Sequence, residues 1–304
     1  MIDLEKFKGV FPAFYACYDD NGEVSAERTQ AFVNYLYNKG VRGLYVSGSS
    51  GECIYQNLEE RKKTIENVMK VAKGKMTVIA HVGCASTRDS VALAKYAETC
   101  GVDAIASIPP IYFGMPEYAI CNYWQAMIDA TELPFIIYNI PQNTGYNLSV
   151  KTFKKMCENP KVIGVKNTSM PVLDIQQFKN AGGDNVVIFN GPDEQFVAGR
   201  LMGADSGIGG TYGVMPELFI KADQLICNGN YETARQIQFK IDEIIMSLVS
   251  LHGNMYDVIK TILRLHGMEI GRARLPLTPV IEEDMQKIRE ISKNIDDAIA
   301  FFCK

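Results

Sequence analysis

The sequence predicts an α/β protein, a (β/α)8 TIM barrel with a C-terminal helical extension. Three observations lead there. Apolar, β-branched runs recur eight times, at 10–17, 43–47, 77–82, 104–108, 134–140, 162–168, 186–190 and 206–209. Amphipathic stretches such as 25–39, 58–72 and 89–100 separate them, the alternation expected of strands each followed by a helix. After Tyr212 the strand pattern stops, and 216–227, 231–251, 255–266 and 282–302 carry helical periodicity alone. An open doubly wound sheet, the competing arrangement, would not need eight units at such even spacing.

Asn57 with Glu60, and Ser86 with Asp89, have the spacing of capping pairs at helix starts. Residues 1–228 form the barrel with its last helix, and 229–304 form a three-helix extension. No low-complexity linker divides the two, so the extension should pack on the barrel.

Composition narrows the function classes. The chain has 304 residues, 47% hydrophobic and 22% charged, with net charge −4, which describes a soluble, mildly acidic globular protein. No basic stripe points to nucleic acid, and no apolar run reaches the roughly 18 residues of a membrane span. The start, Met1-Ile2-Asp3-Leu4-Glu5, is acidic and mixed, unlike a signal peptide. Eight cysteines without a CxxC pair read as free thiols in a reducing cytoplasm.

Barrel active sites gather at the C-terminal ends of the strands. There, 162–169 runs Val-Ile-Gly-Val-Lys-Asn-Thr-Ser, a buried strand that ends on Lys166. A lysine in such a run either stretches to solvent or a carboxylate, or is a desolvated amine able to form an imine with a carbonyl. Tyr138 ends the preceding strand, so if both side chains point inward the phenol reaches the atom bonded to the amine. Thr168 shares the strand face of Lys166, two residues on. Strand two runs into Gly48-Ser49-Ser50-Gly51-Glu52, where Ser49 and Ser50 offer hydroxyls beside backbone amides, a cradle for a carboxylate or simply a capped turn. Strand seven ends Asn190-Gly191-Pro192-Asp193-Glu194. Its acids either favour a helix start or hold polyol hydroxyls across the mouth. Among three histidines, His81 reads as a hydrogen-bonded core residue, and His252 and His266 fall in the C-terminal helices. No HExxH, Walker loop or strand-borne GxGxxG occurs, so no metal or other cofactor is expected. The adjacent aromatics Tyr112 and Phe113, in the loop after strand four, suggest a contact surface.

Gly48-Ser49-Ser50-Gly51-Glu52, Tyr138-Asn139-Ile140-Pro141, Gly164-Val165-Lys166 and Gly209-Gly210-Thr211-Tyr212 together resemble the pyruvate-dependent class I aldolases, the family of N-acetylneuraminate lyase and dihydrodipicolinate synthase. The resemblance covers essentially the whole chain, and 43–52, 79–84, 190–196 and 203–209 are similar to the lyase branch. The synthase branch typically carries an arginine where Gln142-Asn143 stand here. The resemblance implies Lys166 as imine-forming nucleophile, Tyr138 as proton relay, and Ser49 and Ser50 on the substrate carboxylate. Thr168, Gly191, Asp193, Glu194 and Gly210 would meet the sugar. Lyases usually show serine at the place of Gly210 and asparagine at that of Gly213. The implied substrate is a sialic acid, N-acetylneuraminate, cleaved reversibly to N-acetylmannosamine and pyruvate. The implied assembly is a homotetramer of two tight dimers, with Tyr112 reaching the neighbouring subunit's catalytic tyrosine. Alternatives are another pyruvate aldolase of the family, acting on a 2-keto-3-deoxy sugar acid or as a dihydrodipicolinate synthase, and a non-catalytic keto-acid sensor.

Overall fold

A computed structural model describes residues 2–304. Eight short runs, too apolar to tolerate water on either face, form one parallel sheet in the order β1-β8-β7-β6-β5-β4-β3-β2. The strands are β1 Gly9–Pro12, β2 Gly43–Val46, β3 Thr77–His81, β4 Ala104–Ser107, β5 Phe135–Asn139, β6 Val162–Asn167, β7 Val187–Asn190 and β8 Ser206–Gly209. A parallel bridge between Ala13 and Tyr45, with the Phe14 amide donating to Tyr45 O at 2.8 Å, brings β1 against β2 and closes the barrel. The first strand is shorter than the 10–17 run suggests: it ends at Pro12, Ala13 and Phe14 still bond the neighbouring strands, and the chain leaves the wall after them.

The barrel helices are α1 Ala26–Asn38, α2 Leu58–Ala72, α3 Thr87–Cys100, α4 Glu117–Asp129, α5 Pro141–Thr144, α6 Val150–Met156, α7 Leu173–Gly182, α8 Phe196–Leu201 and α9 Pro216–Cys227. Asn57 and Glu60 form a reciprocal capping box on α2, whereas Ser86 accepts from the Asp89 amide with no return bond. Then come α10 Tyr231–Val249, α11 Met255–Leu265 and α12 Met285–Phe302. Ile241, Ile244, Leu248, Ile259, Ile262, Ile288 and Ile295 of these three helices join the apolar layer that covers the outside of the barrel. Neither C-terminal histidine lies within a helix: His252 falls in the loop between α10 and α11, since α10 ends at Val249, and His266 is the C-cap just past α11.

Alternate strand residues fill the barrel interior: Phe11, Tyr45, Ile79, Ala104, Ala106, Ile136, Tyr138, Val187, Phe189 and Ile208. On β6 the alternation breaks. Ile163 points inward, and strict alternation would send Val165 inward and Lys166 out. The β5–β6 register shifts between Phe135 and Ile136, where Phe135 pairs with Val162 but Ile136 with Gly164. Beyond this bulge Val165 belongs to the outer layer, and Tyr138 pairs with Lys166. Bulges next to active sites re-aim side chains in this way. Gly164 permits it, because a Cβ there would lie 1.9 Å from Val187 O.

Candidate active site

Lys166 is buried at the C-terminal end of the barrel, with Nζ 4.0 Å from the Tyr138 ring centre and 4.5 Å from that of Tyr45. Burial drives its pKa from 10.5 down to about 7, against a smaller upward pull from the Asp193 charge. At neutral pH a substantial fraction of the amine is therefore uncharged and nucleophilic.

Tyr138 is buried too, and burial pushes its phenol up to about 12. The hydroxyls of Thr168 and Ser49 face it and moderate the rise. Thr168 Oγ1 nevertheless has no hydrogen-bond partner of normal geometry, a buried donor left free at the mouth. It fits there because residue 191 is glycine; a Cβ on Gly191 would stand 2.0 Å from Thr168 Oγ1. Behind the pair, Asn139 Nδ2 donates to Asn167 Oδ1 at 2.7 Å, which ties β5 to β6 just past Tyr138 and Lys166.

The loop after β2 is a tight turn that leaves two serine amides outside its own hydrogen bonds. Amides of Gly51, Glu52 and Cys53 close turns onto Gly48 O and Ser49 O, while those of Ser49 and Ser50 take no part in these turns. Ser50 is buried and Ser49 exposed. Glu52 adopts a left-handed conformation, φ 55°, uncommon for a non-glycine residue. A fully buried ion pair holds it, Lys260 Nζ to Glu52 Oε1 at 2.6 Å, and Glu52 Oε2 accepts from the Arg274 amide at 2.8 Å.

Asp193 and Glu194, adjacent in sequence, part company in space. Asp193 is buried, and its carboxylate accepts from the Gly210 amide at 3.1 Å, the Thr211 amide at 2.6 Å and the Thr211 hydroxyl at 2.5 Å. It thereby fixes the end of β8, and burial raises its pKa to about 6. Glu194 is exposed at the rim with its carboxylate available. Gly210 reaches the site as backbone, its carbonyl accepting from Tyr15 at 2.7 Å. Tyr112 stands apart on the β4–α4 loop, 92% exposed, at φ 82° and edge-on to Phe113 at 4.9 Å.

His81 is the core residue its position suggests. Nε2 accepts from the Ile108 amide at 3.2 Å, which places the ring proton on Nδ1, 3.1 Å from Ser47 O. Among the described residues no group of three or more His, Cys, Asp or Glu side chains is arranged to hold a metal ion, and no helix is long and apolar enough to cross a membrane.

Two lining residues escape the sequence reading. Tyr45 packs edge-on against Tyr138 at 5.9 Å with its buried hydroxyl unpartnered. The strand-two alternation could have found it, since it is the inward residue of that strand. Tyr256, from α11, hydrogen-bonds Ser50 Oγ at 3.1 Å. No local signal marks a residue 206 positions away from its partner.

The family model described as the dihydrodipicolinate synthetase family matches residues 6–295. The chain is 57% identical over 300 residues to an N-acetylneuraminate lyase of Mediterraneibacter gnavus, covering 98% of this chain and 95% of that one. It is 31% identical over 285 residues to an N-acetylneuraminate lyase of Rhizobium meliloti, covering 94% of each. A solved structure of a catalytic lysine mutant of the Ruminococcus gnavus sialic acid aldolase superposes with TM-score 0.98 at 56% identity, covering 99% of this chain and all of that one.

Proposed function

From the premise that the chain belongs to the dihydrodipicolinate synthetase family, we propose that it is a Schiff-base aldolase of sialic acids, cleaving N-acetylneuraminate reversibly to N-acetylmannosamine and pyruvate. The observation that carries the reading is Lys166, buried against Tyr138 and held near neutrality. The substrate follows the names of the relatives, and a relative with a lysine described as catalytic supports the assignment of the nucleophile.

The neutral amine of Lys166 attacks the keto carbon of the open-chain substrate. Loss of water leaves a protonated imine, the electron sink for breaking the C3–C4 bond. The C4 hydroxyl loses its proton through Tyr138 as it becomes the aldehyde of N-acetylmannosamine. The enamine left on Lys166 takes a proton at C3, and water releases pyruvate and the amine. Ser49 and Ser50 hold the carboxylate so that the carbonyl faces the lysine. Thr168 and Glu194 offer the open polar groups for sugar hydroxyls, with Gly191 giving close approach. Asp193 acts by fixing the β8 end, and Gly210 lines the wall there. The chemistry requires no cofactor.

The assembly that accompanies this reading is a homotetramer of two tight dimers in the cytoplasm. Tyr112 would complete the neighbouring site by bonding the partner's Tyr138. Its support is two aromatics 92% and 73% exposed side by side, one of them in a strained left-handed conformation. All eight cysteines are free thiols, in keeping with a reducing compartment.

The test is release of pyruvate by purified protein from N-acetylneuraminate and, separately, from 2-keto-3-deoxygluconate. Higher kcat/KM on the sialic acid is expected. A preference for the shorter keto acid would reassign the substrate within the family.

A further inference from the structure

We propose that Tyr256, carried into the barrel mouth by the C-terminal extension, is a positioning residue whose hydroxyl sets the direction of the Ser50 hydroxyl toward a substrate carboxylate. This rests on the assignment of Ser50 as a carboxylate donor and adds to it a residue from outside the barrel.

The geometry begins with α11. Asn254 caps the helix by accepting from the Tyr256 amide at 3.0 Å, so Tyr256 lies in its first turn. One turn on, Lys260 forms the buried pair with Glu52. Residues four apart share a helix face, and both side chains reach the same loop. Tyr256 meets it at Ser50, and Lys260 at Glu52. The helix therefore grips the carboxylate cradle at two points, one of them the left-handed residue that shapes it.

The Tyr256 hydroxyl also faces β8. It would lie 3.4 Å from a Cβ at Gly210, whose carbonyl Tyr15 holds at 2.7 Å. The Tyr15 and Tyr256 rings are 6.3 Å apart. Gly210 supplies no side chain in that corner, and the Ser50 and Tyr256 hydroxyls, each 3.4 Å from where its Cβ would stand, meet there.

Proton counting gives the contact its role. A serine hydroxyl carries one proton and accepts through its lone pairs. In the structure Ser50 donates that proton to the Tyr256 oxygen at 3.1 Å. To donate to a carboxylate Ser50 must turn the proton away, and its oxygen then accepts from Tyr256. The phenol can fill both roles, and burial keeps it protonated. Chained hydroxyls polarise one another, which strengthens the bond from Ser50 to the carboxylate. Phenylalanine keeps the ring and loses both roles.

Tyr256→Phe is tested by trapping pyruvate with borohydride across a range of pyruvate concentrations, and by steady-state kinetics on N-acetylneuraminate. Half-saturating pyruvate and KM for the sialic acid should rise together, about three- to tenfold, as expected for one lost hydrogen bond. The turnover number should stay within about twofold, because the reacting carbon is untouched. In a Ser50→Ala background the same change should add nothing, since it acts through that hydroxyl. A full additional loss in that background would overturn the inference, as would a rise confined to the sialic acid with pyruvate saturation unchanged. Wild-type protein that traps no pyruvate at any concentration would sink the Schiff-base reading and this inference with it. Normal wild-type trapping with unaltered Tyr256→Phe saturation would sink this inference alone.

Discussion

Replacing Lys166 by methionine should make the protein more stable while abolishing its chemistry. Nζ has two aromatic faces for neighbours, and burial lowers the pKa from 10.5 to about 7. The unfolded chain holds the proton more tightly, so folding near neutral pH carries a penalty. At about 1.36 kcal/mol per unit the penalty is about 4 kcal/mol near pH 7. Methionine fills a similar volume with no charge to desolvate. Loss of the contacts with Tyr45 and Tyr138 would take back about 0.5–2 kcal/mol. The expected net gain is about 2–4 kcal/mol, or about 4–8 °C in Tm for a chain of this size. The sign with pH is fixed. The penalty is complete below the folded pKa of about 7, and fades as pH rises toward the unfolded value, so the advantage should shrink above neutrality and vanish near the unfolded pKa. Thermal unfolding of both proteins at several pH values from about 6 to 10 measures this. A less stable variant, or a gain independent of pH, would refute the picture of a lysine held against its preference.

Other outcomes follow from the same geometry. Tyr138→Phe should still form adduct with pyruvate but lose about 10²–10⁴-fold in cleavage, because a positioned proton relay contributes that much; near-normal turnover would remove it from the proton path. Lys260→Met leaves Glu52 charged and buried without its partner, and should destabilise by about 3–5 kcal/mol in denaturant unfolding. A change under about 1 kcal/mol would mean that the pair does not hold the cradle. Mixing Tyr112→Phe with Lys166→Ala under subunit exchange should restore activity, since one hybrid site carries neither lesion. A fully active monomer by ultracentrifugation would contradict that.

Much of the fold is legible because each βα unit is a local pattern. Eight apolar runs and the helices between them do not depend on distant contacts for recognition. The facing pair is legible for the same reason, since consecutive strands of a barrel are neighbours and both residues end theirs. Alternation misleads only at β6, where a bulge turns Lys166 inward, and a bulge depends on backbone room beside Val187 that the β6 residues do not announce. Asp193 and Glu194 look alike in sequence and separate in space, because one carboxylate is taken up by amides of the next strand's loop. Tyr256 and Lys260 are illegible to local reading. Their partners, Ser50 and Glu52, lie on the other side of the chain's whole barrel, and only tertiary packing joins them.

The proposed mechanism turns on Lys166 as the carbon-bonding nucleophile. Protein incubated with pyruvate, reduced with borohydride, digested and examined by mass spectrometry tests it most directly. The expected result is a single reduced pyruvate adduct on the peptide containing Lys166, absent from Lys166→Ala. An adduct on a different lysine, or one that persists in the alanine variant, would contradict the claim.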